Sequence, residues 1–116
     1  MKTESKHVTL VMWEVSPRLC NDLKFCVDAV TKAVLASNVT MLDIVKHKFN
    51  PQGLTVLALL SESHISIHTY PEHGYIAVDM FTCGDRADPL AGINKIRELF
   101  EPKTVIRNIK LRGRKD

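Results

Sequence analysis

Two short turns, Asn50-Pro51-Gln52-Gly53 and Pro71-Glu72-His73-Gly74, cut the middle of the chain into four strand-like runs, and this punctuation restricts the fold more than any other feature. Proline fixes φ and glycine accepts the left-handed angles of a tight reversal, so each turn folds the chain back on itself. Val39 to Phe49 and Leu54 to Ser61 flank the first turn and predict one hairpin. Before the second turn Ile65, Ile67 and Thr69 alternate with Ser66 and His68; after it the run YIAVDMFTC alternates again, which predicts another hairpin.

Outside the hairpins, HVTLVMWEV from His7 to Val15 is rich in β-branched and aromatic residues and reads as a strand. Ser16-Pro17 is a helix-start signature, and Leu19, Leu23, Val27, Val30 and Val34 follow at three- and four-residue steps. That spacing predicts one helix of about five turns, ending near Ser37-Asn38. Asp88-Pro89 opens a second helix through Phe100, with Ile93, Ile96, Leu99 and Phe100 on its apolar side, and Lys103 to Leu111 reads as a last strand. With no repeat or linker, the expectation is a single domain over residues 1–116 of the α+β class. It is a two-layer α/β sandwich, its mainly antiparallel sheet covered on one face by two helices. The other face must be polar or covered by a partner, and a run as apolar as Leu54 to Leu60 favours a partner.

A chain of 116 residues buries roughly 65% of the surface it exposes when unfolded, which leaves little interior for a substrate cavity. An oligomer with its site at the interface fits that size. The net charge of +3 comes largely from the ends, where Lys103, Arg107, Lys110, Arg112, Arg114 and Lys115 crowd the last segment. No aromatic residue is interleaved among them to stack a base, so nucleic acid is not an expected partner. Cys20, Cys26 and Cys83 are odd in number and lack close pairing, which points to a reducing, cytoplasmic setting. No apolar run has the length of a signal peptide or membrane span.

Residues 61–85, SESHISIHTYPEHGYIAVDMFTCGD, concentrate histidines, carboxylates, hydroxyls and a thiol on one predicted hairpin. If Ser63 begins a strand and the chain turns near His73, Cys83 returns close to Ser63. Strand alternation puts Ser63 and His68 on opposite faces, so gathering Ser63, His68 and Cys83 in one pocket requires a bend or bulge after His64. His64, His68, His73 and Cys83 lack the paired ligands of compact zinc modules, and no metal is expected. Taken one at a time, Ser63 reads as a bonded strand serine, His68 as a satisfied core histidine and Cys83 as a small buried hydrophobe.

The combination reads differently. Glu62-Ser63-His64, Ile67-His68, Pro71 to Tyr75 (PEHGY), Phe81 to Asp85 (FTCGD) and, upstream, His47 to Gly53 (HKFNPQG) together resemble the small prokaryotic S-adenosylmethionine decarboxylases. The resemblance spans almost the whole chain. It implies a proenzyme in which the Ser63 hydroxyl attacks the Glu62 carbonyl, the peptide becomes an ester, and β-elimination separates residues 1–62 from 63–116. The new terminus at residue 63 becomes a covalent pyruvoyl group, the cofactor, which forms a Schiff base with the amine of a small-molecule substrate and takes up the electrons released with carbon dioxide. By the same resemblance His68 handles protons during processing, a role suited to imidazole near neutral pH, and Cys83 protonates the substrate α-carbon. Phe49 is expected to stack on adenine, Glu72 to accept hydrogen bonds from ribose hydroxyls, and the active form to be a homodimer.

The chain departs from the pattern in two places. Thr55 stands where many relatives carry a serine that assists processing, and many relatives continue beyond Arg112-Gly113. The expected activity is conversion of S-adenosylmethionine to its decarboxylated form for spermidine synthesis. The alternatives are a pyruvoyl-dependent arginine or ornithine decarboxylase, with no use for adenine stacking, and an unprocessed, non-catalytic binding or regulatory subunit.

Overall fold

The computed structural model describes residues 3–115. In chain order they form β1 (Ser5–Trp13), α1 (Pro17–Cys20), α2 (Leu23–Ala36), β2 (Met41–Lys48), β3 (Leu54–Leu60), β4 (Ser63–Tyr70), a 3-10 turn (Pro71–His73), β5 (Tyr75–Cys83), α3 (Pro89–Phe100) and β6 (Thr104–Arg112). The strands make one six-stranded sheet in the order β2-β3-β4-β5-β1-β6. Every neighbouring pair is antiparallel.

Alternation assigns the two faces. Val8 and Leu10 of β1, Val56 of β3, Ile67 of β4 and Met80 of β5 are fully buried under the helices, with Cys26, Val30 and Ala33 of α2 and Ile93, Ile96 and Phe100 of α3 packed against them. Gly92 lets α3 approach α2 closely: a Cβ there would collide with Ser37 Oγ and come within 2.9 Å of the Ala33 carbonyl oxygen. The opposite face carries no helix. Leu57 and Leu59 of β3 and Val45 of β2 lie exposed on it.

The expected single helix over residues 17–37 is two helices; α2 and α3 cover the sheet as expected, while α1 packs against the 3-10 turn and α2. Asp22 caps α2 by accepting the Phe25 N–H at 3.0 Å, and Asn21 accepts the Gly53 N–H at 3.1 Å. The break thus ties α1 to the first hairpin turn. The buried stripe of α2 is Cys26, Ala29, Val30, Ala33 and Val34, while Leu23 and Val27 are only half-buried. The basic C-terminal segment is mostly an edge strand: β6 pairs with β1 along its length, Arg107 donates to Asn94 Oδ1 of α3 at 3.3 Å, and the Arg112 guanidinium lies 4.6 Å from the Phe81 ring centroid. Charges along an edge discourage a foreign strand from adding to it. No helix among the described residues is long and apolar enough to cross a membrane.

Candidate active site

Ser61 and Glu62 form the tight connection between β3 and β4, with Leu60 paired to Ser63 across it. Ser63 has φ of +145°, an angle that L residues rarely adopt; holding it costs on the order of 1–3 kcal/mol. On the neighbouring strand the Cys83 N–H donates to the Glu62 carbonyl oxygen at 3.3 Å, and the Cys83 thiol donates to the same oxygen at 3.4 Å. Two donors therefore converge on the carbonyl that precedes Ser63, where negative charge would gather during attack on its carbon. The Glu62 side chain accepts the Thr40 N–H at 3.2 Å, so both sides of the junction are held.

At the other end of β4 a cleft of about 370 Å³ is lined by Phe49, Thr55, His68 and Glu72 together with Gln52 and Tyr70. Thr55 and His68 are cross-strand partners, and Thr55 Oγ1 lies 3.0 Å from His68 Nδ1. Gln52 Nε2 donates to Glu72 Oε2 at 3.2 Å. The Phe49 ring meets His47 edge-on and stays 49% exposed, a flat apolar surface open to a ligand.

The seven residues singled out in the sequence thus fall into two groups: Glu62, Ser63 and Cys83 at one end, Phe49, Thr55, His68 and Glu72 at the other. The bend after His64 that would unite Ser63, His68 and Cys83 in one pocket is absent. β4 keeps unbroken register with β3 and β5 from Ser63 onward, because a bulge would forfeit ladder hydrogen bonds on both sides. His68 faces the open side, five positions or roughly 17 Å along the strand from Ser63. The hairpin is also offset by one residue from a turn centred on His73: Ser63 pairs with Thr82, which sets Cys83 opposite Glu62.

Between the two groups lies a cluster that the sequence did not single out. Asp79 of β5 accepts from His7 Nε2 at 3.0 Å and His64 Nε2 at 3.2 Å on one oxygen, and from the Ser66 hydroxyl on the other. Burial would raise the Asp79 carboxyl, but the hydrogen bonds from Ser66, His7 and His64 outweigh it and hold the group below its ordinary value of 3.8. A signal was present: Asp79 is the one charged residue in YIAVDMFTC, and the correct hairpin register sets it opposite Ser66. Burial holds the remaining thiols in the protonated form, pushing Cys20 up to about 11 and Cys26 up to about 12.

Fold and residues define the class: a two-layer α+β protein with its candidate site residues on the helix-free face and rim of an antiparallel sheet. The chain belongs to the S-adenosylmethionine decarboxylase family, whose profile matches residues 6–113. It is 40% identical over 111 residues to the S-adenosylmethionine decarboxylase proenzyme of Brevibacillus brevis, covering 96% of this chain and 84% of that one. With the proenzyme of the same name from Methanococcus maripaludis it shares 42% over 111 residues, 95% of this chain and 91% of the other. The crystal structure of the adenosylmethionine decarboxylase from Aquifex aeolicus superposes with a TM-score of 0.91 at 31% identity, over 100% of this chain and 96% of that one.

Proposed function

We propose that the protein is a self-processing decarboxylase that converts S-adenosylmethionine to S-adenosylmethioninamine and carbon dioxide. The convergence of the Cys83 N–H and thiol on the Glu62 carbonyl, beside a serine held at positive φ, carries this reading. Ser63 Oγ attacks the Glu62 carbonyl carbon, and the Cys83 donors stabilise the oxyanion. The C–N bond breaks, the proton passes to the freed amine, and Glu62 is left as an ester of Ser63. Loss of the Ser63 Cα proton then expels the Glu62 carboxylate, and water replaces ammonia at residue 63 to leave a pyruvoyl terminus. His68, hydrogen-bonded with Thr55, moves these protons, and Thr55 assists it.

The pyruvoyl group supplies a ketone that condenses with the substrate amine and takes up the electron pair left when carbon dioxide departs. Cys83 returns a proton to the substrate α-carbon. Phe49 stacks on the adenine, and Glu72 accepts hydrogen bonds from the ribose while its charge draws the sulfonium. An arginine or ornithine decarboxylase has no use for an exposed aromatic face beside that carboxylate.

Since His68 and Ser63 stand far apart along one strand, we propose that a second copy packs its open sheet face against the first, so that each junction is served by the other copy's cleft. The exposed Val45, Leu57 and Leu59 support this. Cysteines that form no disulfide among the described residues suit a reducing cytoplasm. Intact-mass measurement is expected to find residues 1–62 and a blocked 63–116, and the protein is expected to decarboxylate S-adenosylmethionine in preference to arginine and ornithine. An active but uncleaved chain would overturn the reading. Co-expressing Ser63→Ala with His68→Ala chains is expected to restore cleavage of the latter; no cleavage would overturn the shared site.

A further inference from the structure

Cutting the Glu62–Ser63 bond turns the start of β4 into a loose end. Before the cut, Ser63 is held by its ladder partners Leu60 and Thr82 and by the two-residue connection to β3. Afterwards that connection is gone, and strand termini fray unless something besides the backbone ladder ties them down. The residue that frays is the one that must present the reactive ketone, and displacement of about 1 Å at a reacting centre can cost on the order of a hundredfold in rate.

The Asp79 cluster meets that need. His64 and Ser66 are the first two open-face residues of β4, and they reach opposite oxygens of the same carboxylate on β5. Together they form a two-point tie over the first residues behind the cut. Asp79 is steadied from the far side by His7 of β1. The Phe81 ring packs between the imidazoles, 5.8 Å from His7 and 6.2 Å from His64, with Arg112 against it. With Nε2 donating, both histidines serve Asp79 while neutral, so the tie holds without an imidazolium.

Resting on the function proposed above, we infer that His64 and Ser66, through Asp79, are positioning residues that hold the chain end at residue 63 in place after cleavage. The structure supplies its own control. His7 and His64 reach the same Asp79 oxygen and are 28% and 38% exposed, but only His64 adjoins residue 63.

The test compares cleaved wild type, His7→Asn and His64→Asn by hydrogen exchange at the amides of residues 64–67 and by kcat and KM per cleaved chain. His64→Asn is expected to speed exchange about tenfold and to lower kcat about ten- to hundredfold with KM within about twofold; His7→Asn should change each by less than about threefold. Should His64→Asn fail to fold or cleave, Ser66→Ala removes the other tie and is expected to lower kcat at constant KM by more than His7→Asn does. Equal behaviour of the β4 and β1 variants in either readout overturns the inference. A wild-type chain that stays whole overturns the proposed function and this inference with it; a cleaved, active wild type with indistinguishable variants overturns this inference alone.

Discussion

The two faces of the sheet are built from the same strands and do opposite work. Along β4, Ile65 and Ile67 are fully buried under the helices, whereas His64 and His68 on either side of them face the helix-free side. One face is mainly hydrocarbon, with Thr69 and Thr82 buried in it; the other spaces imidazoles, hydroxyls and a carboxylate among partly exposed leucines. A period of two residues therefore lets one strand bury a core on one side and present polar side chains on the other, and substitutions at consecutive positions should fail in different ways.

The largest effect is expected at the junction, where loss of one hydroxyl should abolish function and leave the native fold in place. Ser63→Ala is expected to leave a single uncleaved chain with decarboxylation reduced by more than about a thousandfold, and a circular dichroism spectrum in native buffer that matches wild type. Next come two consecutive residues. Between chains kept whole by Ser63→Ala, adding Ile67→Ala should cost about 2–5 kcal/mol of stability through the cavity it leaves and adding His68→Ala no more than about 0.5 kcal/mol; in the otherwise native chain His68→Ala should slow cleavage about 10²- to 10⁴-fold. Equal destabilisation by the two would break the division between the faces.

Cys83 sharpens the comparison within one residue, because its N–H belongs to the backbone and its thiol does not. Cys83→Ala keeps the amide donor at 3.3 Å from the Glu62 oxygen and is expected still to cleave, with turnover per cleaved chain down about a hundredfold. In the native protein iodoacetamide is expected to modify Cys83 while Cys20 and Cys26, buried and with raised thiol values, react only after unfolding; mass mapping decides. The smallest effect concerns acid. A carboxyl held below 3.8 contributes stability that is present above that pH and is lost as the pH falls through the folded value, so Asp79→Asn should flatten the acid limb of stability below about pH 4.

Most of the fold was legible because alternation and turn residues act locally. Asp88-Pro89 opened α3 where expected, with Asp88 accepting the Ala91 N–H at 3.2 Å. The break in the first helix was hidden because Leu19, Leu23 and Val27 keep a helical spacing straight through it, and what stops the helix is Asn21 reaching Gly53 in a distant turn. For the site, residue types and the family resemblance selected Ser63, His68 and Cys83, but their distances depend on register. An offset of one residue moved Cys83 from opposite Ser63 to opposite Glu62. Asp79 escaped notice because a lone carboxylate in an alternating strand announces itself only once its cross-strand neighbours are known.

The strand order has one more consequence. A cut after Glu62 assigns β1, β2 and β3 to one piece and β4, β5 and β6 to the other, so in β2-β3-β4-β5-β1-β6 the pieces interleave and β1 is flanked on both sides by strands of its counterpart. α2 of the first piece packs on α3 of the second. Neither fragment can slip out of such a weave while the sheet persists, and neither retains a whole core by itself. Maturation would thus be silent in the native state yet recorded in the unfolded one: the intact chain can refold alone, whereas the cut one must find its other half, with a yield that falls on dilution.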